Sequence, residues 1–300
     1  MNKKVFLHII GAVFFFIPLV LLSGCVEEDM SECYDGVFVV LRIDPQTTGA
    51  EQAKADARDA VIYVFDSQGK FLERRETQLD KEELLYYPDA GQLSVVGWVN
   101  MVSGIYSVTP FNVNTDRGDG RVMLSSFERA TTYNNIPTDL FYGDVVMLNE
   151  SNTVAIEKKE ILASRKDGSM TITVRGLQDY AGKYDNNYYI VVGPMYRGID
   201  FFGNYISCDA MLTPTSAFNS SGEFTVPIFN MLPTGNDRLK ISIYHGESGL
   251  VYETDVDKDN RPITVIPDRT ENILIDFSGG LSISVQRTDW GVSYPWKSFN

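Results

Sequence analysis

The sequence predicts an all-β protein of antiparallel β-sandwiches, and three observations support this fold class. Short runs rich in Val, Ile, Tyr and Phe recur from Gly36 to the C-terminus, and several alternate apolar with polar residues, as half-buried strands do. Clusters of Gly, Asp, Asn and Pro separate these runs, as turns do. Apolar residues at helical spacing are scarce. This succession of short strands and turns is typical of sandwiches.

The predicted elements follow from these patterns in chain order. Residues 50–57 contain helix formers without an apolar stripe, which predicts a loop or one short helix. Turn signals stand at residues 67–69, 117–120, 166–168, 233–237 and 257–260. The predicted strands are residues 36–43, 60–65, 93–99, 141–147, 170–175, 239–244, 264–266, 272–277 and 281–286.

The domain organisation is predicted from one break in the strand pattern. Residues 141–147 read as the closing strand of a first unit, and the polar residues 149–153 follow it. A boundary there gives an N-terminal sandwich over 36–149 and a C-terminal sandwich over 150–300. Each unit is large enough for its own core.

The N-terminus predicts a bacterial lipoprotein signal peptide. Lys3 and Lys4 precede an apolar run over 5–22, and Ser23-Gly24-Cys25 follows it. A positive start, an apolar stretch and small residues before a cysteine form a lipobox, which predicts removal of residues 1–24 and lipidation of Cys25. The acyl chains would add several tens of buried methylene groups at about 0.8 kcal/mol each, enough for stable anchoring.

Two other interpretations of this segment remain open, a transmembrane helix and a plain signal peptide. The apolar run is near the lower length limit for a span, and Pro18 interrupts it. The following residues, Glu27-Glu28-Asp29, are acidic rather than a cationic stop-transfer flank. Residues 25–35 are therefore predicted to form a lipidated acidic tether. The acidic run also resembles the export tag of surface lipoproteins in Bacteroidetes-type bacteria, which implies a location on the outer face of the outer membrane.

Charge argues against two classes of partner. The whole chain has a net charge of −14, and loss of Lys3 and Lys4 with the signal leaves 24 basic against 40 acidic residues, or −16. A surface this acidic disfavours nucleic acid and direct adsorption to anionic lipid. We therefore expect a membrane contact through the lipid on Cys25 and no nucleic-acid partner.

Two cysteines remain after lipidation, Cys33 and Cys208. An oxidising envelope permits a disulfide between them, and the alternative is two separate small buried residues. No CxxC pair exists in the chain, which argues against a zinc or redox-thiol site.

The sequence predicts no catalytic residues, no cofactor and no metal site. His245 is the one histidine of the mature chain, so a nucleophile triad has a single candidate base, and we expect a hydrogen-bonded structural histidine. No nucleophile elbow, phosphate loop or dinucleotide fingerprint occurs. Carboxylate pairs suited to glycoside hydrolysis and aromatic residues that stack on sugars stay open as alternatives.

Two short motifs resemble binding sites and are interpreted as turns. Residues 255–260 place aspartates on alternate positions, but Asn260 and Ile266 occupy the places where a calcium loop needs glycine and glutamate. Arg117-Gly118-Asp119 spells an integrin-type tripeptide, which any turn rich in Gly and Asp produces by chance. Neither motif predicts a ligand.

Four landmarks follow Cys25 in a fixed order, and together they resemble a known family. They are Asp29-x-Ser31-x-Cys33, residues 61–66 with Gly69, residues 94–100, and residues 139–143. This order is similar to the fimbrillin-associated anchor proteins of minor and major fimbriae, the base subunits of type V pili. The resemblance is strongest over 25–148 and weaker in the second half, where a terminal strand leads into residues 288–290.

The resemblance implies two tandem transthyretin-like β-sandwich domains in a lipid-anchored, non-catalytic subunit on the outer membrane, with fimbrial shaft or pilin subunits as partners. Type V pilins join by strand exchange, and the candidate donor here is 281–287, with Leu281, Ile283 and Val285 on one face. The alternative is that this strand pairs within its own domain. We expect residues 37–43 to stay in their own fold.

Three functions are therefore considered. The first is an anchor that tethers a fimbrial shaft and limits its length. The second is a tip or stalk adhesin of the same superfamily, and the third is a surface glycan-binding lipoprotein or glycosidase. The sequence names neither the pilin partner nor any small-molecule ligand.

Overall fold

Strands make up most of the computed structural model, which describes residues 36–113, 115–125, 139–148, 158–235, 238–246, 249–279 and 284–288. The predicted all-β fold class is confirmed. Within these residues only two short helices occur, Ala50–Asp56 and Leu177–Ala181, with one 3₁₀ turn at Arg117–Asp119. No helix in the described ranges has the length and apolar character that a membrane span requires.

Seven strands form the first sheet, in the order β3-β2-β5-β8-β9-β1-β4. β1 pairs with β9 in parallel and with β4 antiparallel, and β8 meets β9 over only two residue pairs. The strands are β1 (Val37–Ile43), β2 (Ala60–Phe65), β3 (Phe71–Thr77), β4 (Glu82–Leu85), β5 (Gln92–Val99), β8 (Phe141–Leu148) and β9 (Lys158–Arg165).

Two further sheets make up the rest of the fold. A six-stranded sheet has the order β16-β15-β11-β7-β6, with β12 paired to β11. It contains β6 (Tyr106–Val108), β7 (Arg121–Leu124), β11 (Tyr188–Asp200), β12 (Tyr205–Leu212), β15 (Lys240–His245) and β16 (Gly249–Thr254). A five-stranded sheet has the order β13-β14-β10-β17-β18, formed by β10 (Gly168–Arg175), β13 (Ala217–Phe218), β14 (Phe224–Met231), β17 (Thr270–Asp276) and β18 (Ser284–Thr288).

The strands β2 and β5, with the first residues of β8, form a wall that is buried on both faces. One face supplies Ile62 and Val95 to a core shared with alternate residues of β1 and β9. The other face supplies Tyr63, Trp98 and Tyr142 to a larger core that continues between the six-stranded and five-stranded sheets. All six residues of β2 are therefore buried, which explains its continuous apolar sequence.

Aromatic side chains close the second face of this wall. The ring centroids of Tyr63 and Trp98 lie 4.9 Å and 5.8 Å from that of Phe201. The ring of Phe111 is tilted against Phe201, with a centroid distance of 4.7 Å. Such edge-to-face and tilted contacts add to the free energy gained by burial alone. Phe201 follows β11, so the second half of the chain caps the first sheet.

The strands around the predicted boundary near residue 150 are shared between the sheets. β9 follows residue 150 and pairs with β1, whereas β6 and β7 precede it and join the sheet of β11. The predicted division at 149 and 150 stays a prediction. The strand pairings show that neither residues 36–149 nor residues 150–300 complete their sheets without strands from the other stretch.

Most predicted elements are present, and one is wrong. Residues 50–57 do form a short helix, Ala50–Asp56. Residues 264–266 form no strand, because Val265 pairs with a loop instead. The Val265 carbonyl accepts from the Thr234 N–H, and the Val265 N–H donates to the Thr234 hydroxyl at 3.0 Å. An apolar alternation of three residues cannot distinguish a strand from a buried loop.

Two glycines let β5 and β8 approach their neighbours closely. Gly97 and Gly143 stand opposite each other in the β5–β8 pair. A Cβ on Gly143 would collide with the carbonyl oxygen of Leu162, and one on Gly97 would lie 2.5 Å from Leu41. Glycine is therefore required where β1 and β9 cross this pair.

We expect Gly143→Ala to lower the free energy of unfolding by at least about 2 kcal/mol, because the added methyl group meets backbone that cannot move aside. Urea denaturation measures the loss. The control is Gly91→Ala, at an exposed position where a Cβ meets nothing within 4 Å, with an expected change below about 0.5 kcal/mol. Equal losses for the two variants would contradict the close approach.

Candidate functional site

Four of the predicted site residues lie outside the described residues: Cys25, Cys33, Leu281 and Ile283. The structure places the other two, Cys208 and Val285, in different sheets. Lipidation of Cys25 and strand exchange by residues 281–287 stay predictions. Three described strands contain or follow the predicted residues, and they make up the candidate site. β1 follows the predicted tether, β12 contains Cys208, and β18 contains Val285.

Cys208 lies on β12, opposite Tyr196 of β11. The side chain is half-buried, and its thiol forms no disulfide with a described residue. The preceding residue, Ser207, has a φ of 55°, and on the other side of Cys208 the pairing with β11 becomes irregular between Cys208 and Ala210. A disulfide from Cys208 to Cys33 stays a prediction.

Val285 lies on β18, the last strand in the order of the five-stranded sheet. It stands opposite Ile275 of β17, and its side chain is buried. In this structure the segment thus pairs within its own sheet, which was the alternative to donation. Among the described strands β18 pairs only with β17, and the Val285 carbonyl also accepts from the Lys258 N–H at 2.7 Å, so an added strand would have to displace this contact.

β1 has partners on both sides. Its residues Phe38–Ile43 pair with Lys158–Ala163 of β9, and Val37–Val40 pair with Glu82–Leu85 of β4. Val37, Val39, Leu41 and Ile43 are all buried in the first core. The strand predicted to stay in its own fold is therefore an interior strand of the first sheet.

His245 is held as a structural residue, as expected. Its Nε2 lies 2.8 Å from the Asp185 carboxylate, and its ring packs edge-on against Tyr188 at 4.8 Å. The pKa of Asp185 is lowered mainly by the hydrogen bond from the Asn187 N–H and, to a smaller extent, by the hydrogen bond with His245.

Asp257 closes the turn that resembled a calcium loop. Its side chain is fully buried, and its carboxylate accepts from the N–H groups of Asp259 and Arg261 and from the Arg261 guanidinium, each at 2.9 Å. Burial acts to raise the pKa of Asp257, but these hydrogen bonds outweigh it and the pKa is lowered. The carboxylate is thus used within the turn, and the described residues contain no group suited to a metal ion.

Arg117, from the integrin-type tripeptide, is buried rather than displayed. Its guanidinium donates to the Phe201 carbonyl at 2.9 Å, to the Tyr142 hydroxyl at 3.2 Å and to the Ser94 hydroxyl. It also pairs with Asp144 at 2.7 Å and lies over the ring of Phe202. One side chain therefore joins β5, β8 and the turn after β11.

We expect Arg117→Met to destabilise the protein by about 2–4 kcal/mol, because Asp144 loses its ion pair and the Phe201 carbonyl keeps only the Tyr142 hydroxyl as a donor. The value lies below that of fully buried pairs because Asp144 is partly exposed. Arg117→Lys should recover only part of the loss, since an ammonium cannot reproduce the planar fork. Denaturation with exposed Arg58→Met as control measures this, and an unchanged Arg117→Met variant would refute the role.

A polar cleft lies between the helix Ala50–Asp56 and the five-stranded sheet. Two cavities of about 490 and 350 Å³ line up there and share Ala53, Asp56, Asp139 and Asn230. On its floor Arg165 bonds Asp139 at 2.6 Å and lies 3.4 Å from Asp268. The cleft is lined by ion pairs and amides, and no histidine is among its described lining residues.

Sequence reasoning missed Arg117 and the cluster around Arg165. Asp139 belongs to a landmark of the family resemblance, and Asp167 falls in a predicted turn, but neither observation indicates a partner. The partners of Arg117 lie 23 to 84 residues away along the chain. Such contacts leave no periodic signal in a single sequence.

Comparison with known proteins adds the decisive observation. A family model of the fimbrillin-A associated anchor proteins Mfa1 and Mfa2 matches residues 30–294. This chain belongs to that family. The resemblance drawn from the four landmarks is confirmed, and it extends through the C-terminal sheets.

Individual relatives agree with this placement. The chain is 25% identical over 296 residues to the major fimbrium anchoring subunit FimB of Porphyromonas gingivalis, a match that covers 91% of each protein. FimB of a second strain is 26% identical. The fimbrial anchor protein Mfa2 of the same organism shares the fold with a TM-score of 0.61 at 17% identity, over 85% of this chain and 97% of that one.

Proposed function

We propose that this chain is a lipid-anchored, non-catalytic subunit that holds a fimbrial shaft on the outer face of the outer membrane and limits its length. Family membership supports a role in fimbrial anchoring. The observation that carries the finer proposal is the position of β1, an interior strand that begins soon after the predicted lipid.

Covalent geometry keeps β1 close to the predicted lipid attachment. Ten residues separate Cys25 from Gly36, where the described fold begins. An extended chain spans at most about 3.6 Å per residue, so this tether reaches no further than about 40 Å. Force on a bound shaft would therefore enter the membrane through β1 and then Cys25.

Removing β1 would cost much of the fold. The four buried side chains of β1 each contribute about 1.5–3 kcal/mol of burial free energy, or about 6–12 kcal/mol together, and the whole stability of a domain is only about 5–15 kcal/mol. Arg42 on this strand is also held by Asp80 at 3.0 Å and Glu160 at 2.6 Å. A subunit that must keep its first strand fits the end of a polymer, because it leaves no vacancy in its sheet for a further donor strand.

The first test locks β1 in place. Phe38 and Leu84 stand opposite each other in the β1–β4 pair. We expect Phe38→Cys with Leu84→Cys, oxidised, to retain cell-attached fimbriae at the wild-type level, measured by immunoelectron microscopy and by fimbrial protein in the medium.

The two single-cysteine variants are the controls for this experiment. Release of fimbriae only in the oxidised double variant would show that β1 must leave its sheet, as a stalk subunit requires, and would overturn the anchor proposal. Recovery of mature protein cleaved after Arg42, with fimbriae still attached, would do the same.

The second test removes the lipid. Cys25→Ala should release the subunit and its fimbriae into the medium, since the acidic mature chain has no other predicted attachment to the membrane. Cell fractionation and mass spectrometry of the mature N-terminus measure this. The control is Cys208→Ala, which should leave acylation and attachment unchanged. Unchanged cell attachment of the Cys25→Ala protein would contradict the proposal.

A further inference from the structure

Asp167 lies at the point where the chain passes between two sheets. Only Lys166 and Asp167 connect β9 of the first sheet to β10 of the five-stranded sheet. The Asp167 side chain is 1% exposed, although it lines the cleft described above. A buried aspartate at such a crossing needs a physical explanation.

Hydrogen bonds tie Asp167 to both neighbouring segments. Its Oδ1 accepts from the Leu140 N–H at 2.8 Å, and its carbonyl accepts from the Asp268 N–H at 2.9 Å. The Lys166 N–H donates to the Leu140 carbonyl at 2.7 Å. We call Leu140, Lys166, Asp167 and Asp268 the joint, because these residues link the starts of β8, β10 and β17.

Among the described residues the second carboxyl oxygen of Asp167 has no hydrogen-bond partner, and its surface is covered. The cation in this cluster, Arg165, is already shared between Asp139 and Asp268. The Lys166 ammonium points elsewhere, over the rings of Tyr142 and Tyr205, and donates to the Gly203 carbonyl at 3.3 Å. Arg269 also lines the cleft but is exposed, so among the described residues no buried cation is free to neutralise an Asp167 carboxylate.

Among the other titratable groups near Asp167 in the described ranges, the Asp139 carboxylate disfavours its charge, and the neighbouring phenols stay neutral. Asp139 is a carboxylate, and Tyr106 and Tyr205 are largely buried phenols whose pKa values rise through burial and through the field of Asp167. Burial, and then Asp139, raise the pKa of Asp167 well above its usual range, against the smaller effects of the Leu140 N–H and Arg165. The protonated carboxyl is the form that this site accommodates.

We propose that Asp167 makes the joint sensitive to pH, closed when its carboxyl is protonated and opened more readily when a carboxylate forms. The unfolded chain ionises at an ordinary aspartate pKa, so over the interval between that value and the raised folded value the folded state binds one more proton. Stability then falls as pH rises through this interval and levels off above it. The unfolding equilibrium constant should rise by up to about tenfold per pH unit there.

The experiment compares wild type with Asp167→Asn from about pH 4 to about pH 9. Asparagine keeps an oxygen for the Leu140 N–H and cannot ionise. We expect wild-type stability to fall with rising pH more steeply than that of the variant, so that the two agree in acid and the variant is more stable above neutrality. Chemical denaturation at each pH measures this difference.

A local measurement shows whether the effect belongs to the joint. Hydrogen-exchange protection factors of the Leu140, Lys166 and Asp268 amides should fall with pH in wild type and stay level in Asp167→Asn. The Val64 amide, in β2 at the centre of the wall, should change less than these three. The side-chain carboxyl ¹³C signal of wild-type Asp167 should titrate above the ordinary aspartate range.

Asp257 provides a matched control, because it is equally buried but its carboxylate is fully hydrogen-bonded. Asp257→Asn should be less stable than wild type at neutral pH and should approach it only in acid, the opposite direction to Asp167→Asn. An ordinary titration of the Asp167 signal, or equal pH slopes in wild type and Asp167→Asn, would overturn the proposal. If Asp167→Asn fails to fold, the wild-type titration still decides.

Discussion

Burial on both faces of the wall formed by β2, β5 and the first residues of β8 is the constraint on which the rest of this structure depends. A strand with two apolar faces cannot end a sandwich, so sheets must cover it on either side. β1 and β9 cover one face, and the aromatic side chains around Phe201 cover the other. Both cores of the protein therefore share this wall, and neither can be disturbed without affecting the other.

A shared wall also explains where the polar groups lie. Segments that cross between sheets carry backbone that must be hydrogen-bonded, and they cross close to apolar cores. Arg117 meets this need at one crossing by satisfying the Phe201 carbonyl and the Tyr142 hydroxyl. Asp167 meets it at another by accepting from Leu140. Both residues therefore link strands, because their polar side-chain atoms form hydrogen bonds to neighbouring segments.

This use of buried polar side chains to link strands suits a protein whose proposed function is to bear a mechanical load. The first strand beyond the predicted lipid is interior to its sheet, and the last described strand lies at a sheet edge. A force applied at β18 and resisted at β1 would be transmitted through the wall and the joint. The shared core supplies the mechanical continuity between these two ends.

The sequence alone determined the strands with strong alternation, the all-β class and the family resemblance, and it predicts the lipobox, because each rests on residues adjacent in the chain. It predicted β2 residue for residue, and it also predicted the structural role of His245. Only the tertiary structure decided that β9 joins β1, that 264–266 is a loop, and that Arg117 and Asp167 are buried. Those outcomes depend on which distant strand supplies the partner, and a local pattern specifies a strand's faces without naming its neighbour.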